Sequence, residues 1–129
     1  MSKCKILVVD DEEDILTLIS ARLEQNGYQI IVASDGLEGL EKAEKEKPDL
    51  ILVDVSMPRM NGYQMVQLLR QYESLKEIPV VVITASRQKD EAAWRTQVGV
   101  EYFILKPFKT KELLDKVQEA LREKSKEKT

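Results

Sequence analysis

Residues 50–54 read Leu50-Ile51-Leu52-Val53-Asp54: four apolar residues in a row, then an acid. A half-exposed strand would alternate apolar with polar residues. An unbroken run fits a strand buried on both faces, as in a parallel sheet. Four other runs share this character: Ile6-Leu7-Val8-Val9, Gln29-Ile30-Ile31-Val32, Val80-Val81-Val82-Ile83 and Tyr102-Phe103-Ile104-Leu105. Between them lie segments with helical spacing. Ile15, Ile19 and Leu23 form one stripe, and Leu37, Leu40 and Ala43 a second. Met65 with Leu68 and Leu69 with Tyr72 form a third, and Leu113, Val117, Ala120 and Leu121 a fourth. Residues 87–98 are less periodic but must also cross the sheet. Asp11 is placed to cap the first helix, with Gly27 near its end. Gly36, Pro48, Gly62, Pro79, Gly99 and Pro107 punctuate the joints.

Five strand–helix repeats imply an α/β domain with helices on both faces of a parallel sheet. Right-handed crossovers leave few topologies. The expected fold is a flavodoxin-like, doubly wound (βα)5 domain over residues 1–121, with five parallel strands in the order 2-1-3-4-5. Residues 122–129 are almost wholly charged or polar, and read as a tail or the end of the last helix.

The strands end in unusual residues. Strand one runs into Asp10-Asp11, strand three into Asp54, strand four into Thr84 and strand five into Lys106. Ligands of doubly wound sheets bind at the carboxyl ends of the strands, where the strand order reverses. In the order 2-1-3-4-5, strands one and three are neighbours there. Asp10, Asp11 and Asp54 would converge, with Thr84 and Lys106 on the far side. Three adjacent carboxylates raise one another's pKa unless a cation sits among them. Mg²⁺ is the natural candidate, since it takes carboxylate oxygens and water and leaves room for a phosphate. Cys4 is at the opposite end of strand one, so no soft ligand favours zinc.

Composition narrows the chemistry. Of 129 residues, 20 are Lys or Arg and 23 Asp or Glu, a net charge of -3 that argues against direct nucleic-acid binding. There is no histidine, which excludes Ser-His-Asp and Cys-His catalysis and histidine metal sites. One cysteine cannot form an internal disulfide and suits a reducing compartment. No apolar run reaches the roughly 18 residues of a membrane span. The start, Met1-Ser2-Lys3-Cys4, leads straight into a strand, with no signal peptide read there. These features lead to an expected cytoplasmic location.

The acidic pair Asp10-Asp11, the run Asp54-Val55-Ser56-Met57-Pro58-Arg59-Met60-Asn61-Gly62, Thr84-Ala85 and Lys106-Pro107-Phe108 stand in order, each at a strand end. With this set the chain resembles the receiver domain of two-component response regulators over nearly its whole length. The resemblance implies that Asp54 accepts a phosphoryl group. It implies that Asp11 binds Mg²⁺ directly, Asp10 holds it through water and Ser56 offers a backbone carbonyl. Lys106 and Thr84 would contact phosphoryl oxygens, with a cis peptide before Pro107. Phe103 occupies the switch-aromatic position, where many relatives carry Tyr, so any switch here works by packing. Small residues at Ser56 and Ser86 imply a phosphoryl group that is not unusually long-lived.

The same resemblance implies partners and roles. A sensor histidine kinase or a phosphotransfer protein would supply the phosphate. A downstream protein would read the face formed by helix four, strand five and helix five. A homodimer on phosphorylation is compatible with that face, though no residue singles it out. The chain would catalyse only its own phosphorylation and dephosphorylation. It would be a stand-alone regulator or a receiver cut from a longer one, and its native start and charged finish lean towards the former. Trp94 is expected towards solvent, with Ala93 and Thr96 inward, making Trp94, with Tyr102 on the same face, a candidate interface. Met57, Met60 and Met65 read as packing residues, and Cys4 as a small strand residue. Residues 10–14 in isolation would simply favour a helix N-terminus. The competing functions are a degenerate receiver serving as a scaffold, an aspartyl-phosphate phosphatase and a flavodoxin-like electron carrier. The phosphatase would want a second Asp where Ser56 stands, and the electron carrier a phosphate-binding loop where the acids stand.

Overall fold

The computed structural model describes residues 3–55, 57, 60–85 and 91–127, with backbone alone for 91 and 124–127. Five strands alternate with five helices: β1 (Lys5–Val9), α1 (Glu13–Gln25), β2 (Gln29–Ala33), α2 (Gly36–Glu46), β3 (Leu50–Asp54), α3 (Gly62–Leu69), β4 (Val80–Thr84), α4 (Glu91–Val98), β5 (Tyr102–Leu105) and α5 (Thr110–Glu127). All strand pairs are parallel and the order is β2-β1-β3-β4-β5, as the sequence predicts.

The period-two alternation of strands divides the apolar runs between two cores. Ile6, Val8, Leu50, Leu52, Val81, Ile83 and Ile104 pack with Ile19 and Leu23 of α1 and Leu113, Val117 and Ala120 of α5. Leu7, Val9, Ile51, Val53, Val80 and Val82 pack on the other face with Ala43 of α2, Met65 and Leu69 of α3 and Trp94 and Val98 of α4. Each large aliphatic side chain buried this way contributes about 1.5–3 kcal/mol. The central strands β3 and β4 are buried throughout. The edge strands β2 and β5 are not: Val32 and Leu105 reach solvent, because each edge strand has a neighbour on one side only.

The edge of β2 is covered in another way. Lys42 Nζ donates to the Val32 carbonyl at 2.7 Å and pairs with Glu38 at 3.0 Å. Glu38 in turn accepts from the Ser34 N–H and hydroxyl at 2.7 and 2.9 Å. The Ser34 N–H first, then the Lys42 ammonium, lower the Glu38 carboxyl to about 2.

Several sequence expectations change. Asp11 does not cap α1: Glu12 is the N-cap residue, and its N–H donates to Asp10 Oδ1 at 2.9 Å, leaving Asp11 outside the helix. Leu37 is 51 % exposed, since the inward face of α2 is carried by Gly36, Gly39 and Ala43. Tyr72 lies beyond the end of α3 and is exposed. Cys4 precedes β1 and is exposed, so it is not a strand residue. The last helix continues through residues 122–127, which agrees with one of the two readings of that stretch. Met57 and Met60 pack against the core and Met65 is within it, as the sequence predicts.

Arg70 is a structural residue that no sequence pattern marked. Its guanidinium donates to the carbonyls of Val98, Lys76 and Ile78 at 2.8, 2.9 and 2.7 Å. It thereby ties the end of α4 to the loop before β4.

Gly62 sets how closely α3 approaches β3. Its N–H donates to the Val55 carbonyl at 3.0 Å, and a Cβ there would lie 2.4 Å from the backbone oxygen of Asp54. Asn61 and Gln64 form a capping box that starts the helix at this point. Gly62→Ala must therefore push α3 off the end of β3. Urea unfolding should show a loss of roughly 2 kcal/mol or more, as for other backbone clashes. A loss below about 0.5 kcal/mol would mean that the loop absorbs the methyl group without cost.

Candidate functional site

Because all five strands run the same way, their carboxyl ends share one edge of the sheet. β1 and β3 are adjacent there, with Val9 opposite Val53, so the next residues along, Asp10 and Asp54, are brought side by side. Both have the strand parity of the α1–α5 face, as does Lys106 one residue beyond β5. Lys106 Nζ lies 3.4 Å from Asp10 Oδ2 and 3.5 Å from Asp54 Oδ1. It also lies 3.5 Å from Glu12 Oε1. The Lys106-Pro107 peptide is cis, as the resemblance implies.

Asp10, Asp11 and Asp54 each place one carboxylate oxygen within 4.8 Å of the others. Asp10 and Asp54 are buried, whereas Asp11 is exposed at the rim. Burial is the first cause that pushes the Asp54 carboxyl from its ordinary 3.8 up to about 6, and repulsion from Asp10 adds to it. The Asp10 carboxyl is also raised by burial, against the lowering effects of the Glu12 N–H and Lys106. Burial alone would lower the Lys106 ammonium, but Asp54, Asp10 and Glu12 together hold it above its usual value.

These observations test the metal expectation. The donors are hard carboxylate oxygens in one cluster, without imidazole or thiolate, and their mutual repulsion is what a divalent cation relieves. The cluster therefore fits Mg²⁺. Ser56 and Ser86 lie outside the described residues.

Thr84 is buried at the end of β4 and has the opposite strand parity. It pairs in register with Leu105, while Val82 pairs with Phe103, so Thr84 and Phe103 are diagonal neighbours on the α4 side of the sheet. Phe103 is half-buried against that core, and the Arg95 guanidinium lies 5.2 Å from its ring centroid.

Trp94 does not stand where the sequence places it. It is 2 % exposed, Ala93 is only half-buried and Thr96 is exposed. The inward stripe of α4 is Trp94 and Val98, one turn apart, and the indole meets Tyr63 edge-to-face at 4.9 Å. Tyr63 also donates its hydroxyl to Gln97. Tyr102 packs on the α1–α5 side, so the two aromatics do not share a face. The exposure that made Trp94 an interface candidate is absent.

Sequence reasoning missed Glu12 and Arg95. Glu12 follows directly on Asp10-Asp11, and that adjacency was the available signal. Arg95 carries no sequence signal, because its contact depends on how α4 is rotated over β5.

A doubly wound parallel sheet in the order β2-β1-β3-β4-β5, with an acidic cluster and a lysine at its switch point, defines the flavodoxin-like class of α/β domain. Comparison with known proteins places this chain within that class. The response regulator receiver domain matches residues 6–118, and the chain belongs to that family. It is 42 % identical over 118 residues to the alkaline phosphatase synthesis transcriptional regulatory protein PhoP of Bacillus subtilis, covering 92 % of this chain and 48 % of PhoP. The chain spans about half the length of PhoP and of the other transcriptional regulators it matches. Among solved structures it is similar to chemotaxis protein CheY4 of Vibrio cholerae, with a TM-score of 0.87 and 33 % identity over 92 % of this chain and 99 % of that one. The receiver domain of sensor histidine kinase PA1611 from Pseudomonas aeruginosa, solved with magnesium in its active-site cleft, gives a TM-score of 0.84 and 29 % identity over 94 % of this chain and 99 % of that one.

The raised Asp54 carboxyl has a consequence for stability. An acid whose folded pKa exceeds its unfolded value binds more protons when folded. Its contribution therefore falls as pH rises from about 4 to about 6 and stays unfavourable above. Asp54→Asn removes that burden. Chemical unfolding without Mg²⁺ should show the variant more stable at pH 7.5, on the order of 2 kcal/mol, with the gain shrinking towards pH 4. A gain of the same size at both pH values would contradict this account.

Proposed function

We propose that this chain is a phosphorylation-controlled signalling module that accepts a phosphoryl group on Asp54 in the presence of Mg²⁺. The observation that carries the reading is the convergence of Asp10, Asp11 and Asp54 on one edge with Lys106 between the two buried acids. Phosphoryl transfer needs an in-line nucleophile and neutralisation of charge on the transferred group. Asp54 is the buried carboxylate of the cluster at the end of β3, and no general base is required to make it a nucleophile. Asp10 and Asp11, with the acceptor itself and the Ser56 carbonyl, would hold Mg²⁺. The cation, when bound, supplies positive charge at the phosphoryl oxygens. Lys106 releases its acidic partners and turns to the incoming phosphoryl group, and Thr84 bonds another oxygen through its hydroxyl.

The phosphate adds roughly -1.5 to -2 charge at Asp54. Thr84 is drawn towards it, and its diagonal neighbour Phe103 moves inward into the space vacated. The surface of α4, β5 and α5 changes shape as a result, a shift between two arrangements of one element. The donor in this reading is a sensor histidine kinase or a phosphotransfer protein, and the receiver of the signal is a protein that binds this surface. The chain acts on no separate substrate: it promotes only the gain and loss of its own phosphate. The reading places it in the cytoplasm. Among the described residues, no helix is long and apolar enough to cross a membrane.

Incubation with acetyl phosphate and Mg²⁺, followed by intact-mass measurement, tests this. The parent should gain one phosphoryl group. Asp54→Asn should gain none, nor should the parent when Mg²⁺ is chelated. A parent that gains nothing from any small phosphodonor would point instead to a receiver used as a scaffold.

A further inference from the structure

Phe103 stands on the last strand of the sheet, where one neighbour is missing. Its ring is half-buried against the Trp94 core, and the same stretch of β5 borders an open cleft of about 430 Å³ shared with Glu112, Asp115 and Lys116 of α5. An aromatic ring at such an edge has more than one place to go. The group that stands over it is Arg95, an exposed residue of α4, with its guanidinium carbon 5.2 Å from the ring centroid. A guanidinium at that distance is attracted by the ring quadrupole, with an interaction that amounts to a factor of about two to five in an equilibrium at an exposed site.

We propose that Arg95 is a positioning residue for Phe103: its guanidinium holds the ring in the half-exposed placement and ties it to α4. This rests on the reading of Asp54 as the phosphoryl acceptor and of Phe103 as the aromatic that answers it. Phe103 has no hydroxyl with which to fix its own placement. The cation above the ring takes over that task. Since Thr84 is the diagonal neighbour of Phe103, a hold on the ring is also a hold against movement of Thr84 towards the acceptor. By linkage, what opposes the inward ring must weaken binding of a phosphoryl group at Asp54 by the same factor. Arg95 thus sets how much phosphoryl-site occupancy is needed to change the α4–β5–α5 surface.

The test uses four variants of the full chain. Arg95→Met keeps the aliphatic stem and removes the charge. Arg95→Lys keeps a cation. Phe103→Leu removes the ring face, and Arg95→Met with Phe103→Leu closes a double-mutant cycle. Urea unfolding of parent, singles and double should give a coupling of about two- to five-fold in the folding equilibrium. Titration with beryllofluoride in the presence of Mg²⁺, a mimic of the phosphoryl group, reads the transmission. The half-saturating concentration should fall about two- to five-fold in Arg95→Met and stay near the parent value in Arg95→Lys. Arg95→Met should have no further effect once Phe103 is Leu.

No coupling in unfolding overturns the proposal. So does an Arg95→Lys variant that shifts as far as Arg95→Met, or an Arg95→Met shift that persists undiminished beside Phe103→Leu. A parent that takes up no beryllofluoride overturns the reading of the acceptor site and the transmission with it. An absent coupling in a parent that does take it up overturns the role of Arg95 alone.

Discussion

Lys106 stands between Asp10 and Asp54, 3.4 and 3.5 Å from their oxygens, and this one ammonium is what lets two buried carboxylates share the end of a sheet. Breaking a buried charge pair by removing one partner usually costs far more than the pair contributes, because the remaining charge is left in a poor dielectric. Here the arrangement is unbalanced from the start. Among the described residues, two buried acids and the nearby Glu12 share one cation, and burial first, then repulsion from Asp10, pushes the Asp54 carboxyl up to about 6. The site is therefore incomplete as a charge arrangement. That imbalance is the physical reason the cluster fits a divalent cation.

The fold was legible because its strands are short, unbroken apolar runs and its joints carry glycine or proline. The five strands follow from that pattern, and right-handed crossovers leave few orders for them, of which the flavodoxin-like one brings the acids at the strand ends together. What was not legible concerns rotation and edges. Whether Trp94 or Ala93 faces inward depends on the roll of a helix of eight residues, and two positions differing by 100° cannot be ranked when the stripe is only two residues long. The stripe through Leu37 failed for a related reason. Gly36 and Gly39 bring α2 close to Met60 and Val9, so the helix turns its glycines inward and Leu37 outward. Apolar runs also could not distinguish central strands from edge strands. That distinction came only with the sheet order.

The candidate site was more legible than its surroundings. Asp10, Asp11, Asp54 and Lys106 lie at strand ends, where topology alone brings them together. Their supports depend on side-chain reach: Glu12 over Lys106, Arg95 over Phe103, and Arg70 bonded to three carbonyls. Long flexible side chains reach partners far away in sequence, and nothing in local spacing announces them.

The alternation of strands and helices also decides how the molecule can be joined to others. Every strand runs towards the acidic edge and every helix runs back. The chain enters β1 on the far side of the sheet, and α5, starting just past Lys106, returns there. Its 18 residues carry the backbone roughly 27 Å from the pocket. The start of β1 and the end of α5 therefore lie at the pole opposite the acidic cluster. Cargo spliced to either end would leave the mouth of the pocket open, which makes this architecture a cassette: it can be moved from one assembly to another with its entrance clear.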